Sequence, residues 1–253
     1  MTIIKQSIRI IFRNKTYSLL NIAGLGVGIA CAALILLWVE DEATFDKFPK
    51  SENLYYVLQN VTENTWNNTP TVLAAALRDD IAGVKRASRV LQATRYWGID
   101  ENAISGNGGF VDSMFFSMFD VRFILGNKDV AFNTEQSVVL SQSMAAKIFG
   151  NDNPMGQTLK MNERDYQVTG VYSDIKKNSS ISFEWMVPVE VFTREIGAFM
   201  NPFQWQNSHL ITVVELENNN VNTVAVNEQM SNLMAQRLNN PNRKLLLYPL
   251  NRM

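Results

Sequence analysis

The chain has 253 residues, 46% of them hydrophobic and 19% charged, with a formal net charge of −1. This composition fits one good-sized folded domain or two small ones; it excludes a disordered tail, and its neutrality excludes a chain-wide basic surface for nucleic acid. One cysteine, Cys31, lies inside an apolar segment, so no disulfide framework within the chain supports the fold.

The neutrality hides an asymmetry. Residues 1–17 hold Lys5, Arg9, Arg13 and Lys15 and no acid, which leaves 19 of the 23 bases against 24 acids in the rest. Ile3, Ile4, Ile8, Ile11 and Phe12 recur at helical spacing opposite Lys5, Arg9 and Arg13, and predict an amphipathic elbow helix on the inner membrane surface. Residues 18–39, SLLNIAGLGVGIACAALILLWV, carry no charge. As a helix they reach roughly 33 Å, enough to cross a hydrocarbon core of about 30 Å. Trp38 suits the exit interface, and Glu40, Asp41 and Glu42 follow it. The positive-inside rule puts the N-terminus in the cytoplasm and residues 40–253 outside. The apolar run continues past Cys31 as AALILLWV, which argues against a cleaved signal peptide. GLGVG has no preceding strand and is no dinucleotide fingerprint. Gly24, Gly28 and Ala32 instead form a small-residue face that lets another membrane helix approach closely.

Beyond the membrane the pattern alternates. Residues 54–61 read as a strand, Pro70 opens a helix running to Ile81, and residues 84–96 return to strand, a β-α-β unit. ISGNGGF (104–110) reads as a turn or hairpin, and a short helix follows at 113–119. Residues 136–140 form a strand, Ser141 caps a helix to Phe149, and Gly150 ends it. Strands follow at 164–172, 183–189 and 210–216, then a helix at 221–238 with Val224, Met230, Leu233, Met234 and Leu238 on its apolar face, and a strand at 245–248. The Asn-rich stretches 64–68 and 218–220 read as loops.

No catalytic constellation emerges. Gly150 and Gly156 are separated by five residues and followed by Gln157, so they are no P-loop. His209 is the only histidine, which excludes multi-histidine zinc sites, and it reads as structural or surface-exposed. Asp79 and Asp80 are helix neighbours that point apart, so they read as a solvated face. No enzyme activity, cofactor or metal is expected.

Several separated motifs resemble one family. FRNKTYSLLNIAGLGVGIA is similar to the cytoplasmic elbow and first membrane helix of MacB/FtsX-type ABC transporter permeases, of the variety common in Bacteroidetes. EATFDKFPKSENLYYV is similar to their post-membrane segment through Phe45, Asp46, Phe48 and Tyr55. The segments 111–127 and 137–159 carry the most diagnostic match, through Phe115, Phe116, Phe119, Gly126, Leu140, Ser141, Ala145, Phe149, Gly150, Pro154 and Gly156; Gly170 sits in the matching Val-x-Gly-Val strand.

The resemblance implies an α+β fold with one N-terminal transmembrane helix and an extracytoplasmic domain of porter-like β-α-β units. The porter-like parts would be 50–96 and 171–253, flanking an inserted Sabre-like subdomain at 97–170. It implies a non-catalytic permease subunit in the bacterial inner membrane, paired with a cytoplasmic ABC ATPase on a separate chain and with a second permease copy, as a homodimer or related heterodimer. Its periplasmic domain would couple ATP hydrolysis to substrate export or partner activation, called mechanotransmission, with a periplasmic adaptor or substrate as its outer contact and membrane lipid around its helix. Relatives continue past this chain's LLLYPLNRM into further membrane helices, so the chain is expected to cover the N-terminal half of such a protein. Two other classes are less consistent with the sequence: a single-span sensor whose outer α/β domain binds a ligand, disfavoured by the short cytoplasmic tail, and a tethered enzyme, disfavoured by the missing nucleophile motif.

Overall fold

The computed structural model describes residues 13, 15–45, 51–61, 64–99, 102–175, 179 and 181–252, in two units that divide after Phe45. The elbow residues 1–12, Asp46 and Phe48 lie outside the described residues.

The first unit is one helix, α1 (Lys15–Ala43), in which no residue is buried. Its 29 residues span about 43 Å, and the uncharged segment occupies the middle. The Thr44 hydroxyl donates to the Glu40 carbonyl at 2.9 Å and turns the chain out of the helix.

In the second unit the elements follow in order: β1 (Leu54–Val61), β2 (Asn64–Trp66), β3 (Asn68–Pro70), α2 (Leu73–Asp80), β4 (Val84–Ile99), β5 (Asn102–Val111), α3 (Met114–Met118), β6 (Phe123–Gly126), β7 (Ser137–Ser141), α4 (Gln142–Phe149), β8 (Thr158–Met161), β9 (Arg164–Tyr172), β10 (Trp185–Pro188), α5 (Val189–Gly197), β11 (Ser208–Leu216), α6 (Thr223–Leu238) and β12 (Lys244–Pro249). The sheet runs β12-β1-β11-β4-β5-β10-β7-β9-β6, with β2 on β1, β3 on β11, and β8 joining β9 to β4.

The first four strands of that order solve one problem twice. β1 and β4 both lie antiparallel to β11, so β1-α2-β4 is a parallel crossover that leaves one strand's width open. β11-α6-β12 does the same around β1. Each crossover fills the gap in the other, which gives the interlocked split β-α-β pattern. The two predicted β-α-β units are these, and α2 and α6 cover one sheet face over a core of Val57, Leu77, Val214, Val226, Met230 and Met234.

Everything from β5 to α5 is carried between β4 and β11. β4 continues beyond its pairing with β11 and forms a ten-residue antiparallel ladder with β5, from Val90 opposite Val111 to Ile99 opposite Asn102. The path β4-β5-β10-β7-β9-β8 returns to β4 through the Gly98–Lys160 bridge and so forms a ring. Trp97, Phe110, Leu140, Leu159, Tyr166 and Trp185 share the core of these strands. A third core lies on the opposite sheet face, built by Tyr56, Val90, Val139, Tyr172 and Val213 together with Phe115, Phe116 and Met118 of α3. β4 reaches all three cores, through Ala87, Val90 and Trp97.

Four sequence expectations are corrected. ISGNGGF is no turn; it lies wholly within β5, as one arm of the β4-β5 hairpin, so the hairpin half of the expectation stands. Its glycines make a bare strip on which aromatic rings lie. A Cβ on Gly108 would come within 2.2 Å of Trp185 Cδ2, and one on Gly109 within 2.4 Å of Phe183 Cε2. The Trp185 indole N–H donates to the Gly106 carbonyl at 2.9 Å. The Asn-rich stretch at 64–68 contributes to β2 and β3 rather than a loop, because polar side chains complete the pairing: Gln59 donates to the Asn68 carbonyl, and the Thr69 and Thr212 hydroxyls meet at 2.7 Å. Accordingly the first helix begins at Leu73, not at Pro70. Val224 is exposed and Val226 takes the core position on α6, whose start is fixed by Asn222 accepting from the Val224 and Ala225 amides. α5 escaped sequence reading because its buried Val189, Val191 and Thr193 recur every second residue, as in a strand.

At α4 the Ser141 cap holds, with its hydroxyl accepting from the Met144 amide at 3.2 Å. Asp174 adds a negative charge at the same helix start by accepting from the Ser143 amide and hydroxyl. Desolvation alone would raise the Asp174 pKa, but these bonds and Lys147 outweigh it and hold the carboxyl below its ordinary value of 3.8.

Two outcomes follow. Gly108→Ala is expected to lower stability by about 1–3 kcal/mol through overpacking against Trp185, measured as the loss of near-ultraviolet tryptophan circular dichroism on heating. Asp174 is depressed in the folded state, so its contribution is present above the unfolded carboxylate pKa and is lost as pH falls through the folded one. Asp174→Asn is therefore expected to lower the thermal midpoint slightly at pH 7 and to flatten its fall below about pH 4.

Candidate functional site

The residues that could carry chemistry are scattered. His209 Nε2 lies 3.2 Å from the Met200 sulfur. Asp79 pairs with Arg78 at 3.0 Å and Asp80 with Arg237 at 3.8 Å, on the half-exposed surface between α2 and α6. Among the described residues no three His, Cys, Asp or Glu side chains are grouped as a metal ion requires. Cys31 is exposed on α1.

The motif residues fall into structural places. Gly24, Gly28 and Ala32 lie on α1 with open space around them; a Cβ on either glycine meets nothing within 4 Å. Phe45 is half-buried in the turn after α1. Phe115 and Phe116 are buried on α3, and Phe119 stacks on Phe115 with ring centroids 4.2 Å apart. Phe149 packs from α4 onto the ring core, and Pro154 is buried in the following turn. Gly126, Gly150 and Gly156 all have positive φ, the first at the end of β6, the second ending α4 and the third in the turn before β8. Gly170 lies on β9 directly against Phe123. These residues build the fold and leave no shared cavity.

The arrangement that does join parts of the domain was not legible as a motif. Arg89, on the stretch of β4 paired with β11, donates to Asp112 at 2.6, 3.1 and 3.2 Å and to Glu190 at 2.6 Å. Asp112 also accepts from the Arg89 amide at 2.7 Å. Burial alone would lower the guanidinium pKa, yet the two carboxylates outweigh it and hold it above its ordinary value. One partly buried fork therefore ties a crossover strand to the end of β5 and to the first turn of α5. The only sequence signal was a strand unusually rich in bases, with Lys85, Arg86, Arg89 and Arg95.

Next to this clamp an open groove of about 820 Å³ runs along α5. Glu190, Thr193, Arg194 and Gly197 form its floor at helical spacing. Glu135 pairs with Arg194 on one side. The turn at 198–203 makes the other wall and presents Phe199, 89% exposed, and Phe203, 58% exposed.

A family model for the MacB-like periplasmic core domain matches residues 18–233. Comparison with curated proteins gives no match. Among solved structures, a domain of a protein described as a permease from Porphyromonas gingivalis aligns with a TM-score of 0.71 at 22% identity, covering 82% of this chain and 94% of that one. The extracellular domain of the noncanonic ABC-type transporter YknZ from Gram-positive bacteria aligns at 0.59 and 14% identity, covering 77% and 100%. The periplasmic region of MacB from Actinobacillus actinomycetemcomitans aligns at 0.56 and 16% identity, covering 77% and 88%. One apolar N-terminal helix followed by a mixed α/β domain of porter-like fold, together with a family match over most of the length, identifies the chain as a member of the MacB-like periplasmic core domain family of ABC transporter permeases.

Proposed function

We propose that the chain acts as a permease subunit in a MacB/FtsX-type assembly, in which the outer domain converts ATP-driven closure inside the cell into movement delivered outside. The observation that carries this reading is the sharing of cores along the sheet. β4 contributes to three cores, and Arg89 clamps it to α5, so force applied at one end of the domain reaches the other without a soft joint. The chain enters the domain at β1, and β12 returns beside that entry, with Tyr55 opposite Pro249. Both ends of the excursion thus lie at one end of the sheet, as levering from a membrane base requires.

In this reading residues 1–17 form the cytoplasmic elbow, 18–39 cross the inner membrane and 40–253 lie in the periplasm, an orientation supported by the four bases before the helix and the acids Glu40, Asp41 and Glu42 after it. The porter-like parts 50–96 and 171–253 flank a Sabre-like insertion at 97–170, and the pairing of β10 with β5 and β7 draws 185–197 towards the insertion as well. Gly24, Gly28 and Ala32 form the face on which α1 packs against other membrane helices, of this or a second permease copy. ATP hydrolysis belongs to a separate cytoplasmic ATPase, and this subunit is non-catalytic. The outer contact is an adaptor or substrate.

Two measurements test this. Full-length protein in lipid nanodiscs is expected to co-purify with an ATPase whose turnover changes when residues 51–252 are deleted; a homogeneous complex without any ATPase would contradict the assignment. Arg89→Ala leaves the partly buried Asp112 and the exposed Glu190 without their cation and is expected to cost about 2 kcal/mol, below the range for a fully buried pair. Hydrogen exchange should then rise in α3 and α5 more than in α2 and α6, with partial rescue by Arg89→Lys, whose single ammonium cannot bridge both acids as well.

A further inference from the structure

The groove along α5 holds an imbalance of charge beside uncovered aromatic surface. In and beneath it two cations, Arg89 and Arg194, face three carboxylates, Asp112, Glu135 and Glu190. Arg194 is engaged by Glu135, and Arg89 makes most of its bonds to Asp112. Glu190, with a side chain 47% exposed, therefore keeps the surplus negative charge. Across the floor stand Phe199 and Phe203, whose faces attract both apolar side chains and cations. The groove is open along its length, which suits a chain segment better than an enclosed small molecule. Ser208, five residues past Phe203, begins β11, and that strand's far end pairs with Leu54 where the chain enters the domain. Its nine residues cover roughly 30 Å, so the groove wall lies at the end of β11 away from the start of β1.

We propose that this groove docks an extended segment of a partner protein, which brings a lysine or arginine to Glu190 and an apolar side chain to Phe199 and Phe203. The inference deepens the reading that the outer domain engages a partner, and rests on it. The acid selects the sign of the partner's charge, and the two rings supply contact area, so neither part alone gives specificity.

The test uses the full chain in nanodiscs of neutral phospholipid with three fluorescein-labelled hexapeptides: alternating lysine and phenylalanine, alternating glutamate and phenylalanine, and alternating lysine and serine. The first is expected to bind at least about tenfold more tightly than either other, and Phe199→Ser with Phe203→Ser to remove about tenfold of that affinity. Both rings are exposed, so these changes should spare the thermal midpoint. Glu190→Gln keeps a hydrogen-bonding partner for Arg89 and is expected to abolish the preference for lysine over glutamate. Equal binding of all three peptides, no binding of the first, or binding indifferent to the variants would overturn the proposal. So would a change of oligomeric mass in the double variant without a change in peptide binding, which would give the groove to a second copy. Peptide binding by a homogeneous complex that contains no ATPase would defeat the permease reading and leave the docking site standing.

Discussion

One strand decides what this domain can do mechanically. β4 runs sixteen residues, about three times an ordinary strand, and its two halves serve different masters. Its first half closes the interlocked crossovers beside β11, and its second half founds the ring of the insertion with β5. A shared strand has no linker in it. Bending it between Val90 and Trp97 would break ladder bonds and open the cores on either side, so the ring strands are held against the crossovers. Arg89 reinforces the same junction from the side, with a charge held in place by two carboxylates from different elements.

Packing at the junction depends on what is missing from β5. Gly106, Gly108 and Gly109 remove side chains where Trp185 and Phe183 need the space, and β10 can then pair in parallel with the same stretch. Trp185 sits 5.3 Å from Trp97 and 5.5 Å from Phe110, ring to ring, which joins the long strand, its partner and β10 in one aromatic cluster. The buried Tyr172 hydroxyl donates to the Phe183 carbonyl at 2.8 Å and fixes the segment leading into β10 on the other face; burial pushes its pKa well above 10. The insertion is thus tightly packed because its strands are laid on glycine, and because the Trp185 and Tyr172 polar atoms reach backbone partners.

Much of this was legible in the sequence, and what was missed has physical causes. α1 stands out because an uncharged apolar run has few other uses, and β1 and β9 match because β-branched and aromatic residues cluster there without competition. The glycine strip was misread because a run of glycines specifies a turn only when nothing covers it; here rings from distant residues 183 and 185 do. α5 was hidden by a strand-like burial period, and β2 and β3 by asparagines whose backbone pairs with β1 and β11, where the Gln59 side chain donates to the Asn68 carbonyl. The family motifs were readable, yet their residues turned out to be turns and core, while the Arg89 clamp joins residues 101 positions apart and the α5 groove draws on Glu135 as well as on 190–203. Such sites are set by topology, which local pattern does not carry.

Rigidity is the claim on which the transmission reading stands, and it can be measured inside the working assembly. Spin labels at exposed positions 151, beyond α4, and 228, on α6, report the insertion against the crossovers within one chain, while the same labels in the two permease copies report domain movement. Through the ATP cycle the distance within a chain should stay constant to within about 1–2 Å as the distance between copies changes, as expected of a rigid-body movement. A within-chain distance that changes while the between-copy distance stays fixed would contradict the account.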